Sequence, residues 1–318
     1  MNVTTTRFAI FVLAATCVCL PIFSAGKPDE ETLTLLVGSS KIDVSIERMG
    51  SGVSPQNLIR WIEMAGQAVT TYYGKFPVPR LAIHITSFDG DGVRHGQTFG
   101  AEGGLIRIRV GDQTSIGELG DDWTMTHEMI HLAFPSVEEN HHWAEEGIST
   151  YVEPIARIRA GNMDEMGMWR DLMRDMPKGL PEPGDEGLDH THTWARTYWG
   201  GALFCFVADV EIRKRTQNRK GLEDALRAVL NAGGDIRSDW KLEDAFKTGD
   251  RATGVPVLSE MLSKWKDQPV TVDLPDLWKQ LGVRSENGGV MLSNDAPLAN
   301  IRRAITQREN NAAKPLEK

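Results

Sequence analysis

Cysteine is nearly absent from the 318 residues: three occur, Cys17, Cys19 and Cys205. The first two fall in an apolar N-terminal stretch, so a chain that loses that stretch keeps one thiol and forms no internal disulfide. The setting of that thiol, ALFCFVAD, reads as a buried helix face. Aromatic residues make up only 7 % of the chain, with tyrosine at four positions. Grouped cations are missing too: 35 Lys and Arg stand against 44 Asp and Glu, the formal charge is -9, and no long basic run breaks that balance. This argues against a nucleic-acid partner, because phosphate binding draws most of its affinity from clustered cations. Internal repeats and low-complexity tracts are absent as well. What remains, 41 % hydrophobic and 25 % charged, is ordinary globular composition, enough for one large or two small domains.

The N-terminus carries one cation, Arg7, an apolar run from Phe8 to Phe23, and then Ser24, Ala25 and Gly26. This is the layout of a secretory signal peptide over residues 1–26 and predicts an exported protein, secreted or periplasmic. Pro21 interrupts the run, which is short for a bilayer span of roughly 20 residues, so membrane attachment follows only if the segment stays uncleaved. From 27 to 135, TLTLLV, KIDVSI, LAIHIT and LIRIRV read as strands, and SPQNLIRWIEMAGQAVTTYYG as a helix entered at Ser-Pro. From 136 to 284 the apolar spacing is helical almost throughout. The expected class is α+β, a small mixed-sheet lobe followed by a mainly helical lobe. PKGLPEPGDEGLD, at 177–189, reads as an exposed loop, and the polar residues 285–318 as a loosely attached tail.

Chemistry enters at His127, Glu128, Met129, Ile130 and His131, an HExxH sequence in a segment of helical periodicity. Four helical residues turn through about 400°, so His127 and His131 share one face about one turn apart and both imidazoles can reach one ion. That suits zinc hydrolysis: two neutral imidazoles leave coordination positions open, and the Glu128 carboxylate beside them can take a proton from water. A third protein ligand is needed. The metzincin pattern would place Gly and His at positions held here by Phe134 and Val137, which excludes that class. Pro135 ends the helix and turns Glu138 and Glu139 away from the imidazoles. The next helix, WAEEGISTYVEP, offers Glu145 and Glu146; adjacent helical residues differ by about 100° in direction, so one of them faces the ion, and periodicity does not choose between them.

HEMIH followed by WAEEGISTYVE resembles the gluzincin metallopeptidases, whose aminopeptidase N branch carries a Trp-x-x-Glu-Gly-x-x-x-Tyr segment on the second helix. TYWGGALFCFVADVEIRKRTQNRKGLEDALRAVL and, upstream, YYGKFPVPRLAIHI are similar to the glycyl aminopeptidase family. The resemblance spans roughly Tyr72 to Leu230, with the zinc motifs its most specific part. It implies a thermolysin-like (gluzincin) catalytic domain, one Zn2+ held by His127, His131 and Glu146, and Glu128 as general base. It also implies that Tyr198 donates a hydrogen bond to the developing oxyanion, whereas packing against Trp194 and Trp199 is the plainer role for that ring. The implied substrate is a peptide or protein and the implied activity an aminopeptidase. Family members usually add a β domain and a peptide-binding module, and a chain of this length does not hold both, which makes a zinc endopeptidase the near alternative. A catalytically inactive peptide-binding or scaffold module is the alternative of a different class. Oligomeric state is left open by the sequence.

Other polar residues have weaker claims. Tyr151 reads as a core residue or a support to the ligand helix. His141 and His142 precede that helix and read as surface histidines that border the cleft at most. His190 or His192 could replace Tyr198 as oxyanion donor. Glu102, in GAEGG, could grip a free amine, although a plain turn into the next strand explains it equally.

Overall fold

The computed structural model describes residues 24–25, 30–47, 53–100 and 103–308. The leader read over 1–26 thus lies outside the described residues except for its last strand-forming pair, and Glu102 lies outside them too. Alternating apolar side chains set the sheet. In β3 (Ser40–Glu47) Ile42, Val44 and Ile46 point inward while Lys41, Asp43 and Ser45 point outward. β2 (Glu30–Val37) pairs antiparallel with it, and the short β1 (Ser24–Ala25) lies on the far side of β2.

β3, β4 (Arg80–Phe88) and β6 (Leu105–Gly111) run parallel, and a parallel pair needs a crossover. α1 (Pro55–Tyr73) supplies it. Ser54 caps its first turn with Pro55 at the helix start, and Gly74, at φ 80, ends it in the left-handed conformation that favours glycine. Leu58, Ile62, Ala65 and Val69 of α1 lie buried in the core shared with the sheet. β5 (Val93–Phe99) runs antiparallel to β6 and closes the order β1-β2-β3-β4-β6-β5 as the edge strand, next to the helices that follow.

Those helices are α2 (Ile116–Asp121), α3 (Thr124–His131), α4 (His142–Ala160), α5 (Glu165–Asp175), α6 (Gly201–Arg215), α7 (Leu222–Asn231), α8 (Leu242–Thr253), α9 (Val257–Trp265) and α10 (Leu274–Leu281). α4 is the hub, packing on α1, α3 and α6. A buried polar network pins it. Tyr151 of α4 donates to Asp209 of α6 at 2.9 Å, Arg213 holds Asp209 at 2.9 Å and Glu223 of α7 at 2.7 Å, and Arg159 of α4 reaches Glu223 at 3.2 Å. Tyr151 is therefore a core residue. Among the described residues no helix is long and apolar enough to cross a membrane.

Two segments differ from the sequence reading. The polar C-terminal stretch is no loose tail as far as residue 308: β7 (Val283–Glu286) and β8 (Gly289–Leu292) form a hairpin, and α11 (Ala299–Thr306) packs on α4 and α6. Ile301 and Ile305, four residues apart, supply a narrow apolar stripe inside polar sequence, and buried Arg302 donates to Leu281 O and Ser293 O. The 177–189 segment opens in a 3-10 turn, Met176–Gly179, and is irregular beyond it as expected, yet two of its acids turn inward. Asp185 pairs with Arg196 at 2.6 Å, and buried Asp189 accepts from Trp143 Nε1 at 2.7 Å.

Candidate metal centre

α3 buries Met125, Met129 and Ile130 completely on its core side, which sends His127 and His131 to the opposite face toward α4. Asp122 steadies its first turn, accepting from Met125 N at 3.3 Å and from the Thr124 hydroxyl at 2.9 Å. Burial, only partly offset by these bonds, raises the Asp122 pKa. α4 then places Glu146 across from the two imidazoles. His127 Nε2 lies 3.1 Å from Glu146 Oε2, His131 Nε2 lies 3.6 Å from the same oxygen, and the two Nε2 atoms are 3.3 Å apart. Four donors held about 2.0–2.1 Å from a zinc ion at tetrahedral angles are about 3.3–3.4 Å from one another, so the three atoms have the spacing of one face of such a site. Two imidazoles and one carboxylate, converging from two helices, also match the donor chemistry zinc takes.

The charges of the cluster act on one another. Burial lowers the His131 pKa, but the hydrogen bond and charge of Glu146, with Glu128 and Glu145 behind it, outweigh burial and bring it to about 9. Burial pushes the Glu146 carboxyl up, and its bonds to His127 and His131 more than reverse that, holding it well below the usual range. His127 Nδ1 is buried with no hydrogen-bond partner among the described residues, so packing orients that ring: Trp123 meets it edge-on at 5.2 Å and Tyr198 lies parallel to it at 6.2 Å.

The adjacent glutamates take different positions. Glu145 turns away, accepting from Val137 N at 3.3 Å and lying 3.1 Å from His142 Nδ1. His142 also reaches back, its Nε2 3.4 Å from Glu146 Oε1. This half-exposed ring thus borders the cluster and lies beside the outer oxygen of Glu146. His141, read as a surface residue, is instead buried against Asp189 at 2.9 Å, because the acidic loop folds over it. His190 pairs with Asp267 at 3.0 Å, and His192 is exposed.

Glu128 is buried beside the imidazoles, and the Thr98 hydroxyl of edge strand β5 sits 2.6 Å from its Oε2 and 2.9 Å from its carbonyl oxygen. Gly96 makes room for it: a Cβ there would come within 2.5 Å of Glu128 Oε1. Neither residue is visible as a site residue in the sequence, since nothing local links them to a helix thirty residues on. Tyr198 lies in a π-helical turn, Arg196–Gly200, that leads into α6. α4 and this segment meet backbone to backbone at Gly147 and Gly201, where a Cβ on Gly147 would fall 2.2 Å from the Gly201 carbonyl carbon. The glycines of the Glu-Gly and Tyr-x-x-Gly-Ala segments therefore set how near Tyr198 comes to Glu146. Burial first, then the charges of Glu146 and Glu128, push the Tyr198 phenol up to about 12.

No family model and no curated protein matches the sequence. Solved structures match in fold. An aminopeptidase N family protein from Idiomarina loihiensis superposes with a TM-score of 0.63 at 13 % identity, over 80 % of this chain and 49 % of that one. An M1 zinc metallopeptidase from Deinococcus radiodurans gives 0.51 at 13 % identity over 77 % and 53 %. A two-domain M1 zinc metallopeptidase variant bound to L-arginine gives 0.52 at 14 % identity over 77 % and 54 %. The chain spans about half the length of these structures, and its sheet lobe and helical region share the fold of the matching part.

Proposed function

We propose that this chain is a zinc-dependent metallopeptidase that hydrolyses peptide bonds, built on a thermolysin-like (gluzincin) catalytic domain. The convergence of His127 Nε2, His131 Nε2 and Glu146 Oε2 at 3.1–3.6 Å, with Glu128 buried beside them, carries this reading. These three residues would hold one Zn2+. When bound, zinc supplies a Lewis acid that polarises a carbonyl and lowers the pKa of water. Glu128, oriented by Thr98, takes the proton of the attacking water and returns it to the leaving amine. Tyr198, whose phenol stays protonated at neutral pH, donates to the carbonyl oxygen as charge builds on it. His142 braces the carboxylate of Glu146 from outside.

Within that class we infer an exported aminopeptidase, a reading supported by the leader-like N-terminus, the sequence resemblance and the fold neighbours. Its substrate is a peptide or protein with a free amino terminus. The test is direct: purified protein should hold one zinc per chain, lose zinc and peptide cleavage together on chelation, and regain both on adding zinc. Matched peptides with free and acetylated amino termini then separate the two peptidase types. Loss of cleavage on acetylation supports the aminopeptidase, and equal cleavage supports an endopeptidase. Absence of zinc from protein that is folded and supplied with the metal would overturn the proposal.

A further inference from the structure

The chain has nine tryptophans, and Trp123 and Trp194 are the two that stand exposed, at 52 % and 62 %. Both adjoin the metal centre. Trp123 immediately precedes α3 and meets His127 at 5.2 Å, while Trp194 stacks on Tyr198 at 5.6 Å with the planes 25° apart. His127 and Tyr198 face each other at 6.2 Å, so the two indoles stand on the two elements that confront each other across the site. An exposed indole forgoes burial that the other seven tryptophans obtain in large part, and here each ring is already fixed by an aromatic neighbour, which lowers the entropy a ligand must remove.

We propose that Trp123 and Trp194 are specificity-determining walls of the substrate site and select peptides carrying a large apolar or aromatic side chain beside the scissile bond. The inference rests on the peptidase reading above. Indole faces cover aliphatic and aromatic groups well and offer a charged side chain no hydrogen-bonding partner. Because Trp194 backs Tyr198, its loss also lowers turnover; what identifies the wall is a penalty in KM that follows the side chain of the substrate.

The test compares zinc-loaded wild type with Trp123→Ala, Trp194→Ala and the two Phe variants on matched peptides bearing Leu or Phe, Gly, Asp or Lys at the residues flanking the bond. Wild type should favour Leu and Phe over Gly and Asp, each Ala change should raise KM for the Leu and Phe peptides by about tenfold while KM for the Gly peptide changes little, and Phe should restore much of the loss. Zinc content should stay the same in the two Phe variants, which keep a ring against His127 and Tyr198. No apolar preference in wild type, a preference for Lys, or Ala variants with unchanged KM for the Leu and Phe peptides would overturn the inference. A second readout needs no turnover: adding the Phe peptide to zinc-loaded Glu128→Gln protein should shift tryptophan emission to the blue, and the shift should vanish when Trp123→Phe and Trp194→Phe are added together. A shift without turnover in wild type would remove the peptidase reading and keep the binding walls, whereas turnover with neither shift nor preference would do the reverse.

Discussion

α3 is eight residues long and α4 nineteen, and both present side chains to the same point by different means. α3 is held by apolar burial of Met125, Met129 and Ile130, by the bond from Met125 N to Asp122, and by one strand hydroxyl on Glu128. α4 buries Ile148, Val152, Ile155 and Ala156 too, and adds ions and hydrogen bonds that reach four other elements: Arg157 pairs with Glu153 and donates to Gly120 O and Asp121 O of α2; Tyr151 and Arg159 join α6 and α7; and Arg159 also donates to Ile305 O of α11 at 3.0 Å. Apolar packing positions a short helix with little directional information, while a polar network fixes the rotation of a long one. The helix that carries His127, Glu128 and His131 needs only its face defined; the helix that carries Glu146 needs its rotation defined to one residue.

The largest effects should come from the two sides of this contrast. Glu128→Gln on α3 should keep zinc and lower kcat by about 10^2–10^4-fold, measured by steady-state kinetics beside metal analysis, because it removes proton transfer and leaves ligation intact. Asp209→Ala should act on α4 through stability: it removes one of the two carboxylates on buried Arg213 and the acceptor of Tyr151 OH and Leu222 N, and should cost about 2–4 kcal/mol in denaturant unfolding. An Asp209→Ala protein of unchanged stability would erase the distinction between the helices.

A smaller effect is pH-dependent. Burial raises the Glu153 pKa from 4.5 to about 7, and Arg157 offsets this only in part. Between those values the unfolded chain has released the proton that the folded chain still holds, so folding stability falls as pH rises through this window and is level above it. Wild type should therefore lose about 2–3 kcal/mol relative to Glu153→Gln between pH 4.5 and 7.5, followed by unfolding midpoints at each pH. The smallest effect concerns His142. His142→Ala should weaken zinc binding about tenfold in a chelator competition, and His142→Gln should recover part of it, since an amide of similar reach can approach the same Glu146 oxygen.

The contrast also explains what could be read from sequence. α3 announced itself, because HExxH on an apolar-periodic segment fixes both spacing and face. The strands were legible from alternation, as in KIDVSI and LIRIRV. The choice between Glu145 and Glu146 was not, because it depends on Val137 N and His142 drawing one carboxylate away. Thr98 and Gly96 were invisible because strand β5 meets α3 only in three dimensions. The polar stretch after 285 concealed α11, whose two isoleucines and buried Arg302 become meaningful only against α4 and α10. Asp185 and Asp189 were hidden likewise, since loop acids read as solvated until Arg196, His141 and Trp143 are placed beside them.

The account stands on one carboxylate completing a pair of imidazoles, and zinc stoichiometry in the two neighbouring glutamate variants tests that most directly. After equilibrium dialysis against limiting zinc, wild type and Glu145→Ala should each hold one ion per folded chain, and Glu146→Ala should hold almost none. Zinc retained by folded Glu146→Ala, or lost from folded Glu145→Ala, would contradict it.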